Sequence, residues 1–590
     1  VLAVLAATVV VAPASTSGAQ QPHTVSTQVV DSFDGTPILT TLFVPAGASD
    51  GEPAPLVLRT HGWGGTGQQD PTGFVGDLLD AGYVVLTWDQ RGFGCSGGEV
   101  AIDKPDLEGR DVAALIDWAV ANAPVATEDG DPLVGMAGGS YAGGIQTAAV
   151  AVDDRIDVIA PEISWSDLRY SLYSGEVVNQ GWATILYAAG LATATGLGLD
   201  PSCPTYPQEG GLDPRITQGV TESSTTGVIS PAVLDFFAES SLASYGVERP
   251  VVVPTLVIQG STDTLFDITD GYGIVEHVRA AGAPARFMIF CGGHVACPPS
   301  YEDAGDSAHI DAAILTWFER HLRGETSVDV GPAVEYRTNE GEWRQTSSFP
   351  PAGSGTLRAS GTGSLVSVPI VQQPDLEALL GQLAGAADGG IPALPINAAQ
   401  LTPTADPGTM TFEIAHAAGG PIEVVGIPTV ELQVEGVGAE VILMAKLVDR
   451  ESEHVINLQE GAVRVPLTGG PVTAEVPMPG VAYTVPAGHH LDLQVTTGSL
   501  MHSNARTPAQ VDVVAGVSVP ASGGVAASPA PDEASPVPAP EESAAPPAAG
   551  PARPPGAELP ATGAGGLPVA ALALLVGFVL LLRRTRPRAE

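Results

Sequence analysis

The sequence predicts a mostly parallel α/β domain followed by an all-β sandwich, and three observations carry the prediction. From Pro53 to about Thr326, short apolar runs alternate with stretches of helical period, as strands joined by crossover helices do. From about Val328 to Val519 that pattern gives way to short alternating runs between Gly and Pro turns. The chain has 590 residues, enough for two or three domains, and with 44% hydrophobic and 15% charged residues most of it can bury a core.

The elements follow in chain order. Leu56–Leu58, Tyr83–Trp88 and Leu133–Ala137 read as strands of the sheet, as do Thr255–Ile258 and Arg286–Phe290. Asp111 to Ala123 reads as an amphipathic helix with Val112, Leu115, Ile116, Ala119 and Val120 on one face, and another helix runs from about Ile310 to Leu322. Between Ser164 and about Arg249 the alternation breaks for longer than a crossover needs, which predicts a helical cap inserted between strands. Its Trp165, Tyr170, Tyr173, Trp182 and Tyr187 are candidates for an acyl or side-chain pocket, or for the cap's own core. In the sandwich, Val430–Val434, Ala439–Val448 and Leu491–Val495 are clear strands. His489, His490 and His502 have poor spacing for ligands, so no metal is expected there.

Charge narrows the partners. With 24 Lys+Arg against 66 Asp+Glu the formal net charge is −42, the wrong sign for nucleic acid or an anionic membrane surface. The ends then suggest an address. Residues 1–19 read as a signal peptide with a truncated start: Val1 to Ala12 is apolar but too short to span a bilayer, and Ser17-Gly18-Ala19 offers a cleavage site before Gln20. Leu559-Pro560-Ala561-Thr562-Gly563 precedes a hydrophobic segment (567–582) and a basic tail (583–590). This order resembles the cell-wall sorting signal of Gram-positive surface proteins. The resemblance implies that a sortase cleaves between Thr562 and Gly563 and joins Thr562 to peptidoglycan, the precursor lying transiently in the membrane. The body would then be secreted and extracellular. Residues 520–558, rich in Pro, Ala, Ser and Glu, read as an extended stalk reaching about 120 Å at about 3.1 Å per residue.

Outside the cell the four cysteines are free to pair. Cys291 and Cys297 are close enough for a local disulfide, leaving Cys95 with Cys203 as the remaining option.

The chemistry is concentrated after the strand ends. Leu133–Ala137 leads into Gly138-Gly139-Ser140-Tyr141-Ala142-Gly143-Gly144 and then a helical stretch, the strand–turn–helix setting of a nucleophilic serine. Ala142 breaks the strict G-x-S-x-G pattern, whereas Gly94-Cys95-Ser96-Gly97-Gly98 satisfies it without the strand or helix that should flank it. Context favours Ser140. A serine hydroxyl needs a base, and the base an orienting acid. Asp263 follows one strand end and His294 another, giving the order Ser, Asp, His, while Asp267 and Asp270 better suit capping the next helix. His61 lies in Thr60-His61-Gly62-Trp63, where the second oxyanion donor is expected, so the hole is assigned to the backbone N–H groups of Trp63 and Tyr141 and His61 is structural.

Asp89-x-Arg91-Gly92-x-Gly94-x-Ser96-x-Gly98, Gly138-x-Ser140-Tyr141-x-Gly143, Gln259-Gly260-x-x-Asp263-x-Leu265-Phe266 and Gly293-His294 together resemble the X-prolyl dipeptidyl-peptidase and cocaine-esterase-like (CocE/NonD) acyl hydrolases. The resemblance spans about Gln20 to Val519. It implies an α/β-hydrolase fold for residues 20–326, a C-terminal jelly roll for 328–519 and Ser140, Asp263 and His294 as the triad. Many members place a Tyr hydroxyl in the oxyanion hole where this chain has His61-Gly62-Trp63, so a backbone donor must replace it.

The expected function is a wall-anchored serine hydrolase cleaving ester, amide or X-Pro peptide bonds through an acyl-enzyme, with no cofactor. Acyl transfer to an envelope acceptor is a variant of it. The competing reading is a non-catalytic surface protein that uses the same scaffold to bind host or glycan ligands. Pilus-type assembly is weakened because Lys104 and Lys446 are the only lysines available for isopeptide linkage.

Overall fold

The computed structural model describes residues 23–194, 211–301, 306–369, 402–405 and 409–523. The signal peptide, Cys203, most of the stalk and the sorting signal lie outside the described residues. Among the described residues, no helix is long and apolar enough to cross a membrane.

Ten strands form the central sheet: β1 (Thr24–Asp31), β2 (Pro37–Val44), β3 (Leu56–Arg59), β4 (Val84–Trp88), β5 (Val134–Gly139), β6 (Ile156–Glu162), β7 (Thr255–Gly260), β8 (Ala285–Phe290), β9 (Val334–Arg337) and β10 (Trp343–Thr346). Their order is β1-β2-β4-β3-β5-β6-β7-β8-β9-β10, parallel from β4 to β9 and antiparallel at both edges. Alternate residues of a strand point to opposite faces, so both faces must be covered. Leu56 and Leu58 pack in one core with helices α2 (Arg110–Asn122), α3 (Tyr141–Val150) and α9 (Ile268–Ala280), and Val57 in another with α1 (Gly73–Asp80) and α10 (Ser307–His321). The face of α2 is as expected except for Val120, which is exposed.

The break in alternation is a helical insertion between β6 and β7: α4 (Leu168–Tyr173), α5 (Gln180–Ala194), α6 (Pro214–Thr225), α7 (Pro231–Glu239) and α8 (Leu242–Tyr245). Asp270 anchors its entry by accepting from the N–H groups of Ser166 and Asp167 and from the Ser171 hydroxyl. Asp267 caps α9 as expected, but Asp270 does not.

Antiparallel sheets of six and five strands follow and share one apolar core. The larger is centred on the long strand Ala509–Gly523, the smaller on Glu440–Asp449 and His490–Thr496. Two boundaries differ from expectation. Residues 334–346, assigned to the sandwich, extend the central sheet instead, because Val334–Tyr336 pair with Phe287–Ile289. Pro520 belongs to the last strand rather than to the stalk, since it pairs with Thr356, and pairing with Ile422–Val424 carries that strand on to Gly523.

The two parts are bound closely. Arg464 and Arg506 of the sandwich donate to the carbonyls of Gly227, Ser223, Ser224 and Thr225 around the C-terminal end of α6, where a helix leaves carbonyls unsatisfied. Asn339 and Thr484 exchange hydrogen bonds of 2.7 and 3.1 Å.

Candidate active site

Ser140 stands between β5 and α3 with φ 59° and ψ −122°, a backbone region that side chains rarely adopt. The turn lifts its hydroxyl off the sheet's carboxyl end. Ala142 is tolerated in the departing position because its methyl fills space left by Gly138, where a Cβ would lie 2.8 Å from that methyl. The residue that must stay small is therefore the first of the pattern, not the last.

His294 follows β8 in a loop closed by the Cys291–Cys297 disulfide. Its Nε2 lies 2.8 Å from Ser140 Oγ, and its Nδ1 lies 2.7 Å from Asp263 Oδ2. Asp263 is fully buried after β7, and its Oδ1 accepts the N–H groups of Leu265 and Phe266 at 2.9 and 3.1 Å. Approach of the two loops depends on Gly293, because a Cβ there would sit 2.4 Å from the Asp263 Cβ. The rings of Trp182 and Phe266 meet the imidazole edge-on at 5.6 and 5.3 Å and restrict its rotation.

Tyr141 is the first residue of α3, so its N–H is among those without an intrahelical partner. The loop 61–65 passes beside the serine: a Cβ on Gly62 would be 3.9 Å from Ser140 Oγ. Trp63 is held there by its indole N–H, which donates to the Leu186 carbonyl at 2.7 Å. His61 accepts from the Gln90 N–H at 2.9 Å and faces its neighbour's carbonyl through Nδ1. Burial lowers its pKa to about 4, so it is neutral and structural.

Ser96 is buried, accepts from the Leu39 N–H at 2.9 Å and donates to the Asp89 carbonyl at 2.6 Å. It holds a loop. Cys95 is disulfide-bonded, but Cys203, its expected partner, is outside the described residues. The Asp89 carboxylate takes the N–H groups of Gly67 and Cys95, and Arg91 bridges Asp34 and Asp111.

A cavity of about 860 Å³, counting space open to solvent, runs from Ser140 into the cap. Trp165, Tyr173 and Tyr187 line it as expected, together with Trp63 and Tyr141. Tyr170 and Trp182 do not. The Tyr170 hydroxyl turns to Asp267 at 2.8 Å, and the Trp182 indole to Thr264 at 3.0 Å beside His294. Each is fixed by a polar partner that sequence periodicity does not reveal.

Sequence reasoning also missed Gln459 of the sandwich, whose side-chain NH₂ donates to the Asp263 and Ser261 carbonyls at 2.9 and 3.3 Å. Nearby, the Asn457 N–H donates to Tyr301 Oη at 3.1 Å, beyond the disulfide on the His294 loop. One turn of the second domain thus braces the loops of both acid and base. No local motif marks such a contact. His489, His490 and His502 pair with Asp449, Glu451 and Glu460 respectively. Among the described residues, His489, Asp449 and Glu451 present a group of possible ligand atoms within 4.8 Å of one another.

The family model for X-Pro dipeptidyl-peptidase (S15 family) matches residues 34–296. An aminopeptidase from the marine sediment archaeon Thaumarchaeota archaeon has a similar fold, with TM-score 0.62 and 16% identity over 84% of this chain and 96% of that one. So does an α-amino acid ester hydrolase, with TM-score 0.62 and 17% identity over 87% of this chain and 100% of that one. A CocE/NonD family hydrolase from Staphylococcus aureus gives 0.58 and 13% over 84% and 94%. In sequence, an uncharacterized 31.7 kDa protein from the traX-finO intergenic region of Escherichia coli is 29% identical over 113 residues, 19% of this chain. The match spans only 38% of that relative. The solved structures share the fold across both parts of the chain, and the family match covers the segment that carries Ser140, Asp263 and His294. Residues 34–296 thus match the family model for X-Pro dipeptidyl-peptidase (S15 family), and the chain shares its fold with an aminopeptidase and an α-amino acid ester hydrolase.

Proposed function

We propose that this protein is a serine hydrolase that acts at the cell surface on ester or amide bonds through an acyl-enzyme, with Ser140, His294 and Asp263 as its triad. The observation that carries the reading is the unbroken run of hydrogen bonds from Ser140 Oγ through both imidazole nitrogens to the buried Asp263 carboxylate. His294 Nε2 takes the hydroxyl proton as Ser140 Oγ bonds to the substrate carbonyl carbon. Asp263 orients the ring and stabilises the imidazolium. The N–H groups of Trp63 and Tyr141 receive the oxyanion, each such donor contributing about 10²–10³ in rate. Collapse expels the alcohol or amine, which takes the proton from His294. Water, deprotonated by His294, then attacks the acyl-enzyme, releasing the acid and restoring Ser140.

The surface location rests on residues 1–19 and on Thr562-Gly563 with its following hydrophobic and basic segments. Sortase and peptidoglycan are the partners this implies, and the C-terminal antiparallel sheets are read as a jelly roll.

A fluorophosphonate probe on wild type, Ser140→Ala and Ser96→Ala tests the chemistry. Labelling is expected in wild type and Ser96→Ala only. Folded wild type that fails to label would sink the reading. For the location, the protein should fractionate with the cell wall, and a Thr562→Ala variant should not.

A further inference from the structure

The cavity beside Ser140 has a wall whose chemistry selects among substrates. It is built from Leu168, Leu172, Leu186, Ile216, Val220 and Phe237 of the cap, with aromatic faces closing it towards the serine. Among the described residues that line it, none is charged. The polar atoms of the wall are already engaged. The Trp165 indole donates to the Ser240 carbonyl at 2.8 Å, the Tyr187 hydroxyl to Thr217 at 3.4 Å, and the Ser223 hydroxyl to the Val220 carbonyl at 2.9 Å. Tyr173 and Tyr141 accept from the N–H groups of Ile229 and Asp103, both at 3.3 Å. What remains is hydrocarbon, aromatic carbon, the Ser140 hydroxyl and tyrosine O–H groups, none of which carries a charge.

A charged group loses its hydration on entering such a space and gains no partner, whereas an apolar chain gains by leaving water. An ammonium at the start of a peptide would need a carboxylate or carbonyl facing it, and no carboxylate is in the lining: Asp267 is taken by Tyr170 and by the start of α9, and Asp103, buried next to Ile102 with its N–H on the Tyr141 hydroxyl, is pushed strongly towards its neutral form by burial. From this we propose that the acyl part of the substrate is uncharged and apolar, an alkanoyl or arylalkanoyl ester, and that peptides with a free N-terminal X-Pro are poor substrates. The proposal rests on the Ser140 reading above. It adds that the cap cavity holds the acyl chain while the alcohol leaves towards solvent.

The experiment uses the full chain, first titrated with a fluorophosphonate to count reactive sites. The p-nitrophenyl esters from acetyl to octanoyl, which share one leaving group, are then compared with Ala-Pro p-nitroanilide. The expected result is labelling, with kcat/KM climbing roughly three- to fourfold per added CH₂ until the cavity is filled, and little turnover of the Ala-Pro amide. Val220→Trp should reduce the octanoyl-to-acetyl ratio at least tenfold. Should that variant not fold, the chain-length series on the unaltered protein decides. Labelling with a flat series, or preference for Ala-Pro p-nitroanilide, overturns the substrate proposal and leaves the hydrolase reading intact. Absence of labelling overturns both.

Discussion

Ser96 and Ser140 sit in two glycine-rich segments of one domain, and the segment with the complete G-x-S-x-G pattern is not the one that reaches a base. Around Ser96 the glycines make room for the loop and for the chain at Thr36 and Pro37 packed against it. A Cβ at Gly94 would lie 2.2 Å from an Asp89 carboxylate oxygen, and the serine hydroxyl is spent on the Leu39 N–H and the Asp89 carbonyl. Around Ser140 the glycines let strand, turn and helix close tightly, leaving the hydroxyl to meet His294 Nε2 at 2.8 Å. One serine is satisfied by backbone and stabilises. The other is held in a strained conformation and delivered to a base. A pattern of residue types describes tightness, and tightness serves both ends.

The comparison breaks most sharply under paired substitution. Ser140→Gly should lower kcat by about 10⁴–10⁶ yet raise the melting temperature, because glycine relieves a φ of 59° that costs about 1–3 kcal/mol. Ser96→Ala should do the opposite, leaving kcat per folded molecule within about threefold and losing roughly 1–3 kcal/mol through the stranded Leu39 N–H. Ester turnover and thermal melts on both variants check this, and loss of activity in folded Ser96→Ala would reverse the assignment. Asp263→Asn comes next, with a fall of about 10⁴ in kcat from the wrong imidazole tautomer, read from turnover with circular dichroism to show that the fold is kept.

Smaller is the effect of the brace from the second domain. Gln459→Ala should lower kcat by about tenfold to a hundredfold through a displaced Asp263 loop, with KM little changed because Gln459 does not line the cavity beside Ser140. Steady-state kinetics showing KM alone to move would point to substrate contact instead.

The last effect falls on stability rather than on turnover and concerns Asp89, the anchor of the Ser96 loop. Burial raises its carboxyl to about 6, with the two N–H donors only partly opposing. Folded Asp89 therefore keeps its proton over a window, from about 3.8 to 6, in which unfolded Asp89 has lost it, and across that window stability falls as pH rises. Asp89→Asn removes this slope, so its stability penalty should be about 2–3 kcal/mol smaller at pH 7 than at pH 4. Urea melts at the two pH values measure it. Neutral, buried His61 has the opposite sign: its contribution is lost as pH falls from about 6.5 to 4.

How much of this was legible differs from residue to residue. Ser140 could be found because strand, turn and helix lie within one short stretch, and local geometry leaves local marks. Asp263 and His294 could be found because the sheet puts both loops past a strand's carboxyl end. Tyr170 and Tyr173 were harder to tell apart: they are three residues apart on one short helix, yet one turns to Asp267 and the other to the cavity. Helical phase says that residues differ in direction without saying what lies in each direction. The strands at 334–346 looked like the start of the sandwich because an edge strand alternates in much the same way whichever sheet it joins.

Read alone, the chain specifies its layers, its cap, the Cys291–Cys297 bridge and the order Ser140, Asp263, His294, because each is written in neighbouring residues or in a repeating period. The cavity's freedom from charge and the grip of Gln459 on the acid loop are of another kind. Gln459 lies 196 residues from Asp263, and the cavity is assembled from four cap helices and four loops of the sheet. Such features depend on which side chains meet after folding and on which hydrogen bonds they have already made, and a linear pattern of residue types records neither.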